Sequence, residues 1–126
     1  MVWIRIIALM CFFTVAGIAT ATEHGAVKVQ MYFGLNMPQG EVSVAEWMNF
    51  EKTEVATRFN GFNVVDSVGY YQGQAEKSKI ITLIIPENEL PKVKELATVY
   101  TNLFEQDSVM VLVSSVEQWL FIPASQ

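Results

Sequence analysis

Cysteine and histidine are almost missing from this sequence of 126 residues: there is one of each, Cys11 and His24. A single cysteine cannot form a disulfide within the chain, so packing alone has to hold the fold together. Zinc and copper sites use several cysteine or histidine ligands, and nucleophilic triads pair histidine with serine or cysteine. The composition therefore argues against a metal site and against that kind of covalent catalysis. We expect no metal and no cofactor.

Positive charge is also scarce. Eight lysine and arginine residues stand against 13 aspartate and glutamate residues, which gives a formal net charge of −5. The sequence contains neither a basic cluster nor a glycine-rich loop of the kind that binds phosphate. Nucleic acids and anionic lipids require a positive surface. We therefore expect no nucleic-acid partner, and the acidic balance favours solubility.

One long apolar run stands at the N-terminus. After Arg5 the chain is uncharged over residues 6–22, and Ala19-Thr20-Ala21 has the small-x-small pattern of a signal-peptide cleavage site. The strongly apolar part is shorter than the ~20 residues that cross a bilayer. We expect a cleaved signal peptide over residues 1–21, one mature domain over residues 22–126, no stable membrane anchor, and a periplasmic or secreted location.

Hydrophobic periodicity predicts the order βαββαβ in the mature part. Strands are expected over residues 27–33, 62–71, 79–85 and 108–113, with a bulge at Gly69, a polar turn over 72–78 and a short fifth piece over 117–122. Two amphipathic helices lie between them. This order favours an α+β fold, a ferredoxin-like sandwich in which both helices cover one face of an antiparallel sheet.

Both helices have recognisable boundaries. Ser43 and Glu46 form a capping box at the start of the first, and Asn60-Gly61 predicts a left-handed stop after it. The first helix is expected to bury Val44, Trp47, Met48, Val55 and Phe59. The second is expected to bury Val93, Leu96, Ala97, Tyr100, Leu103 and Phe104.

The third strand is apolar on both faces. Ile81, Leu83 and Ile85 alternate with Ile80 and Ile84, whereas a sheet that is solvated on one side shows a cleaner alternation. We therefore expect the face of the sheet away from the helices to be covered. Three covers are open: a second subunit in a homodimer, the C-terminal segment around Trp119 and Phe121, or a ligand.

Several short motifs resemble a family of bacterial exported proteins known as domain of unknown function 3574. The similarity covers roughly residues 31–113. The matching pieces are Tyr32-Phe33-Gly34-Leu35, Val42-Ser43-Val44-Ala45-Glu46-Trp47, Glu54-Val55, Arg58-Phe59, Gly61-Phe62, Gly69 followed by an aromatic residue, Glu76, Ser78-Lys79, and Ser108-Val109 after Phe104. The resemblance implies export and supports the fold, and it implies no particular activity.

Two groups of polar residues are candidates for a binding site. Glu54 and Arg58 stand four apart on the first helix, as a surface ion pair or as an anion-binding fork in which the carboxylate holds the guanidinium. Glu76, Ser78 and Lys79 stand at the end of the second hairpin, as part of a solvated turn or of a cleft shared with Tyr71.

Tyr32 is a further candidate, on the less apolar face of the first strand, with a hydroxyl that needs a partner if buried. Taken together, these residues favour a small binding or interaction domain that self-associates through its sheet. The alternative is a small enzyme of the dimeric α/β-barrel type, acting on a small organic molecule by acid–base chemistry through residues such as Tyr32, Arg58 and Glu76.

Overall fold

The computed structural model of this protein describes residues 25–125. The predicted signal peptide, its cleavage site after Ala21, Cys11 and His24 lie outside the described residues, and those predictions remain predictions. Among residues 25–125, no helix is both long enough and apolar enough to cross a membrane.

Strands and helices alternate along the described chain. The strands are β1 (Ala26–Gly34), β2 (Asn36–Met37), β3 (Gly40–Glu41), β4 (Asn63–Tyr71), β5 (Gln74–Pro86) and β6 (Met110–Ser115). The α-helices are α1 (Val44–Phe50), α2 (Ala56–Arg58) and α3 (Leu90–Leu103). A π-helical turn, Glu51–Val55, joins α1 to α2, and a 3-10 turn, Glu87–Glu89, precedes α3.

Four long strands form one antiparallel sheet in the order β4-β5-β1-β6. Strands β2 and β3 form a separate two-stranded hairpin. With that hairpin set aside, the chain has the order βαββαβ and the first strand lies inside the sheet between the third and the fourth. The predicted ferredoxin-like α+β sandwich is confirmed.

The core lies between the sheet and the helices. On β1, every second residue from Val27 to Phe33 is buried, and these residues stand opposite the buried side of β5. Five aromatic rings, those of Phe33, Trp47, Phe50, Tyr100 and Phe104, meet mostly edge to face, with centroids 4.7–6.2 Å apart in the contacting pairs. Such pairs add to the burial of apolar area, so packing stabilises the domain.

The first helical segment begins as predicted but changes its period. Ser43 Oγ accepts a hydrogen bond from the Glu46 amide, and the Glu46 carboxylate accepts one from the Ser43 amide, which completes the capping box. The π-helical turn then inserts an extra residue, so the buried Phe50 and Val55 are five residues apart instead of four.

That change overturns part of the predicted buried stripe. Val44 and Met48 are exposed, whereas Trp47, Val55 and Phe59 are buried as expected. The end of the segment also differs. Phe59 is extended, with φ −130° and ψ 131°, and the positive-φ residues of the described chain do not include Gly61. The predicted left-handed stop is therefore wrong, because the chain leaves the helix directly into an extended conformation.

The second hairpin is tighter than the sequence predicted. Only Gln72 and Gly73 form the turn, with φ 49° and 79°, and two positive φ values are typical of a type I′ turn. Strand β5 therefore starts at Gln74 and not at residue 79. Gly69 pairs with Glu76 in a continuous register, so the predicted bulge is wrong.

Two predictions near the C-terminus are also wrong. Leu103 was placed in the core, but it is 56% exposed, because the buried stripe continues from Tyr100 to Phe104 and leaves Leu103 to one side of it. Residues 117–122 form no strand. The amide of Val116 still bonds to the Ala26 carbonyl at 2.9 Å, and the chain after it leaves the sheet.

Candidate functional site

The predicted site residues lie in three separate places. The first is the C-terminal end of the first helical segment, where Arg58 Nη1 lies 2.5 Å from the Glu54 carboxylate and Nη2 lies 3.1 Å from the Glu95 carboxylate of α3. The hydrogen bond that Arg58 donates to Glu54 is the main reason why the pKa of Arg58 is raised, and Glu95 adds to it. Both terminal nitrogens of the guanidinium thus already have carboxylate partners.

One nitrogen of this arginine is unpaired. Arg58 Nε is buried and has no hydrogen-bond partner among the described residues. The pair Glu54 and Arg58 lies in the helical layer, and Glu95 ties it to α3. In this arrangement the guanidinium connects the first helical segment to the last helix.

The second place is the far face, by which we mean the side of the four-stranded sheet that points away from the helices. Tyr32 lies there, half-buried, opposite Ile80 on β5 and Met110 on β6. Ser78 and Tyr71 share this face by register, and Tyr71 stands beside the hairpin turn with its side chain largely exposed. The sheet separates all three from Arg58.

The third place is the end of β1. The Glu76 carboxylate lies beside the end of β1 and accepts a hydrogen bond from the Asn36 amide at 3.3 Å. It lies so close to Gly34 that a Cβ added there would stand 2.5 Å from its oxygen. The hydroxyl of Tyr100 donates to the Gly34 carbonyl at 2.6 Å. Burial, together with the negative charge of Glu76, raises the pKa of Tyr100.

The far face carries a large exposed apolar area. It includes Val65, Ile84, Met110 and Leu112, which are 46–53% exposed. The tail, by which we mean residues 117–125 after β6, leaves these four residues about half exposed. Its own apolar residues are 45–88% exposed: Trp119, Leu120, Phe121 and Ile122. The chain thus presents two apolar surfaces.

A cavity lies on the helix side of the sheet, beside the hairpin where the sequence predicted a cleft. Ser78 and Lys79 of the predicted group line it, whereas Glu76 and Tyr71 do not. The cavity has a volume of about 450 Å³ and lies between the β4–β5 hairpin and the start of α1. Its lining residues are Leu35, Glu41, Val42, Ser43, Val44, Trp47, Asp66, Ser67, Val68, Lys77, Ser78 and Lys79. Because β5 starts at Gln74, alternation places Lys77 on the helix side together with Lys79. The predicted turn over residues 72–78 concealed the position of Lys77.

Two ion pairs stand in this cavity. Lys79 pairs with Asp66 across β4 and β5, and its ammonium lies 5.9 Å from the centroid of the Trp47 ring. Lys77 lies 3.7 Å from the Glu41 carboxylate, at the rim. The Trp47 indole nitrogen donates to Glu51. Among residues 25–125, no three histidine, cysteine, aspartate or glutamate side chains cluster as metal ligands.

Comparison with solved structures shows the same fold in a phage SAM lyase. Its complex with S-methyl-5′-thioadenosine has 24% sequence identity and a TM-score of 0.57, over 72% of this chain and 81% of the lyase chain. Its apo state gives 24% identity and a TM-score of 0.58, over 73% and 82%. A search of curated proteins finds no match. A family model matches residues 28–119, so the chain belongs to the family described as protein of unknown function, DUF3574.

Proposed function

We propose that this chain is a small binding domain that works as a homodimer, with two copies covering each other's far face. One observation carries the proposal: the apolar area on the far face remains exposed, and the tail leaves it open. Contiguous apolar surface of this kind mostly marks an interaction site. A second copy of the chain supplies a matching surface of the same shape and chemistry.

The charges on the far face favour a second copy. By register, Lys28 stands at one end of the face and Glu76 at the other, and the positions between them are uncharged. When two copies pack with their strands antiparallel, Lys28 of each approaches the Glu76 end of the other. A two-fold dimer of this kind buries no like charges against each other.

Sedimentation velocity of the mature chain tests this proposal. We expect a dimer for the wild type and a monomer for the double variant Ile80→Lys, Ile84→Lys, because lysine ammonium groups cannot be buried against a second copy without partners. Met48→Lys is the matched control, since Met48 is an exposed apolar residue of the helical layer. A wild-type monomer at all concentrations, or a double variant that still dimerises, would overturn the proposal.

We also propose that the chain is exported and cleaved after Ala21. The support is the sequence of residues 1–21 and the resemblance described above. Intact-mass analysis of protein recovered outside the cytoplasm should give a chain that begins at Thr22. A retained N-terminal segment, or lipid on Cys11, would contradict it.

A second candidate is an enzyme that acts on a small organic molecule. One arrangement favours it: the Glu76 carboxylate and the Tyr100 hydroxyl both lie at Gly34, and carboxylates and phenols are acid–base groups. The shared fold with a SAM lyase names a first substrate to try. Incubation with S-adenosylmethionine, followed by mass spectrometry for S-methyl-5′-thioadenosine, tests it, with Glu76→Gln as the inactive control. No product would leave the binding domain as the sole proposal.

A further inference from the structure

We propose that the cavity between the β4–β5 hairpin and α1 binds a small organic carboxylate with an apolar body. This site lies on the helix side of the sheet, opposite the far face. It is therefore independent of the proposed dimer, and each proposal can fail without the other. The volume of about 450 Å³ lies in the range of small-molecule sites, 300–1,000 Å³.

The walls of the cavity supply an apolar environment. Trp47 is 3% exposed and forms part of the lining, and Leu35 and Val42 pack beside it. Val44 and Val68 also line the cavity, yet they are 76% and 58% exposed. An apolar ligand body would remove these two side chains from water, and each buried methylene contributes about 0.8 kcal/mol of transfer free energy.

The charges select an anion. The Lys79 side chain is 22% exposed, while its partner Asp66 is 81% exposed. The ammonium is therefore the more buried member of the pair, held over the Trp47 ring, and its carboxylate partner stands in water. Because the Asp66 carboxylate is largely exposed, solvent screens its attraction to Lys79. A ligand carboxylate can therefore replace Asp66 at small cost.

The second lysine strengthens the preference. Lys77 lies at the rim beside Glu41, and both side chains are more than half exposed. A carboxylate at Lys79 therefore has a second cation within the same cavity. An ammonium ligand would instead meet Lys79 at the floor of the cavity and would lose the attraction of Asp66, which Lys79 already holds.

Three probes of one shape test the inference: 3-phenylpropionate, 3-phenylpropanol and 3-phenylpropylamine. They share an apolar body and differ in charge. We expect titration calorimetry to show that the carboxylate binds about tenfold more tightly than the alcohol, as a charge-assisted hydrogen bond requires, and that the amine binds most weakly. Equal affinities for the three probes, or no binding of the carboxylate, would overturn the inference.

Substitutions of residues that line the cavity test whether the probes bind there. Lys79→Gln removes the positive charge but keeps a polar side chain, and it should remove the tenfold preference for the carboxylate. Lys92→Gln, on α3 and paired with Glu89, should retain the preference. Val44→Trp, at an exposed position, should fill the mouth and abolish binding without touching the core. Unchanged binding in both Lys79→Gln and Val44→Trp would place the ligand elsewhere and overturn the site. Sedimentation of the same variants reports separately on the dimer.

Discussion

Tyr100 connects the helical layer to the end of β1 through a single hydrogen bond. Its hydroxyl donates to the Gly34 carbonyl at 2.6 Å, and the residue is completely buried. Tyr100→Phe keeps the ring in the aromatic cluster and leaves the carbonyl without this partner. We expect a loss of about 1–2 kcal/mol in the free energy of unfolding, measured by urea denaturation at neutral pH.

The same residue makes stability depend on alkaline pH. The pKa of Tyr100 is raised in the folded state above its ordinary value of 10.0. Above about pH 10 the unfolded chain therefore loses this proton first, so the contribution of Tyr100 is complete below that pH and declines as the pH rises. We expect the free energy of unfolding to fall less steeply above about pH 10 in Tyr100→Phe than in the wild type. Parallel pH profiles would contradict this.

Two leucines of α3, Leu96 and Leu103, were both predicted to lie in the core, but only Leu96 is buried there. Leu96 is fully buried, whereas Leu103 is 56% exposed. We expect Leu96→Ala to cost about 2–5 kcal/mol because it leaves a cavity, and Leu103→Ala to cost less than about 1 kcal/mol. Denaturant melts of the two variants make the comparison. Equal losses would show that Leu103 packs in the core after all.

At the scale of elements, local signals predicted the starts of structure better than the ends. The capping box at Ser43 fixes the start of α1 because both of its hydrogen bonds are made by neighbouring residues. The π-helical turn has no such local signal. It allows Phe50 and Val55, which are five residues apart, to reach the same core. Tertiary packing alone determines this spacing. Sequence periodicity therefore misplaced Val44 and Met48.

The β4–β5 hairpin offers a test at this scale. Gln72 and Gly73 both have positive φ, and asparagine followed by glycine suits such a turn better than glutamine followed by glycine. We expect Gln72→Asn to raise the free energy of unfolding by a few tenths of a kcal/mol and Gly73→Ala to lower it by about 1 kcal/mol. Thermal melts of both variants measure the difference, and a Gly73→Ala variant as stable as the wild type would contradict the turn type.

At the scale of the molecule, the sequence predicted the fold but not the full set of residues that form the cavity. Strand alternation and two helices were sufficient for the βαββαβ order. The cavity depends on β5 starting at Gln74, which brings Lys77 beside Glu41 and onto the same face as Lys79. The predicted site residues Arg58 and Glu76 lie in different places because spacing along the chain does not tell which layer of the domain each element joins.

The exposed tail should affect the stability of one copy and the stability of the proposed dimer differently. Because Trp119, Leu120, Phe121 and Ile122 are largely exposed, they contribute little to the stability of one copy. We expect a chain that ends at Val116 to unfold within about 1 kcal/mol of the full chain when both are measured as monomers.

In the dimer, the same truncation should matter. We expect the exposed apolar tail of each copy to pack against the other copy in the dimer, so removal of the tail should weaken self-association even though it leaves the monomer intact. Sedimentation equilibrium over a range of concentrations measures this directly, with Glu117→Gln as a control that keeps the apolar residues. If the truncated chain instead loses several kcal/mol as a monomer, the tail packs on its own domain. The far face is then closed within one copy, and a dimer is no longer needed to cover it.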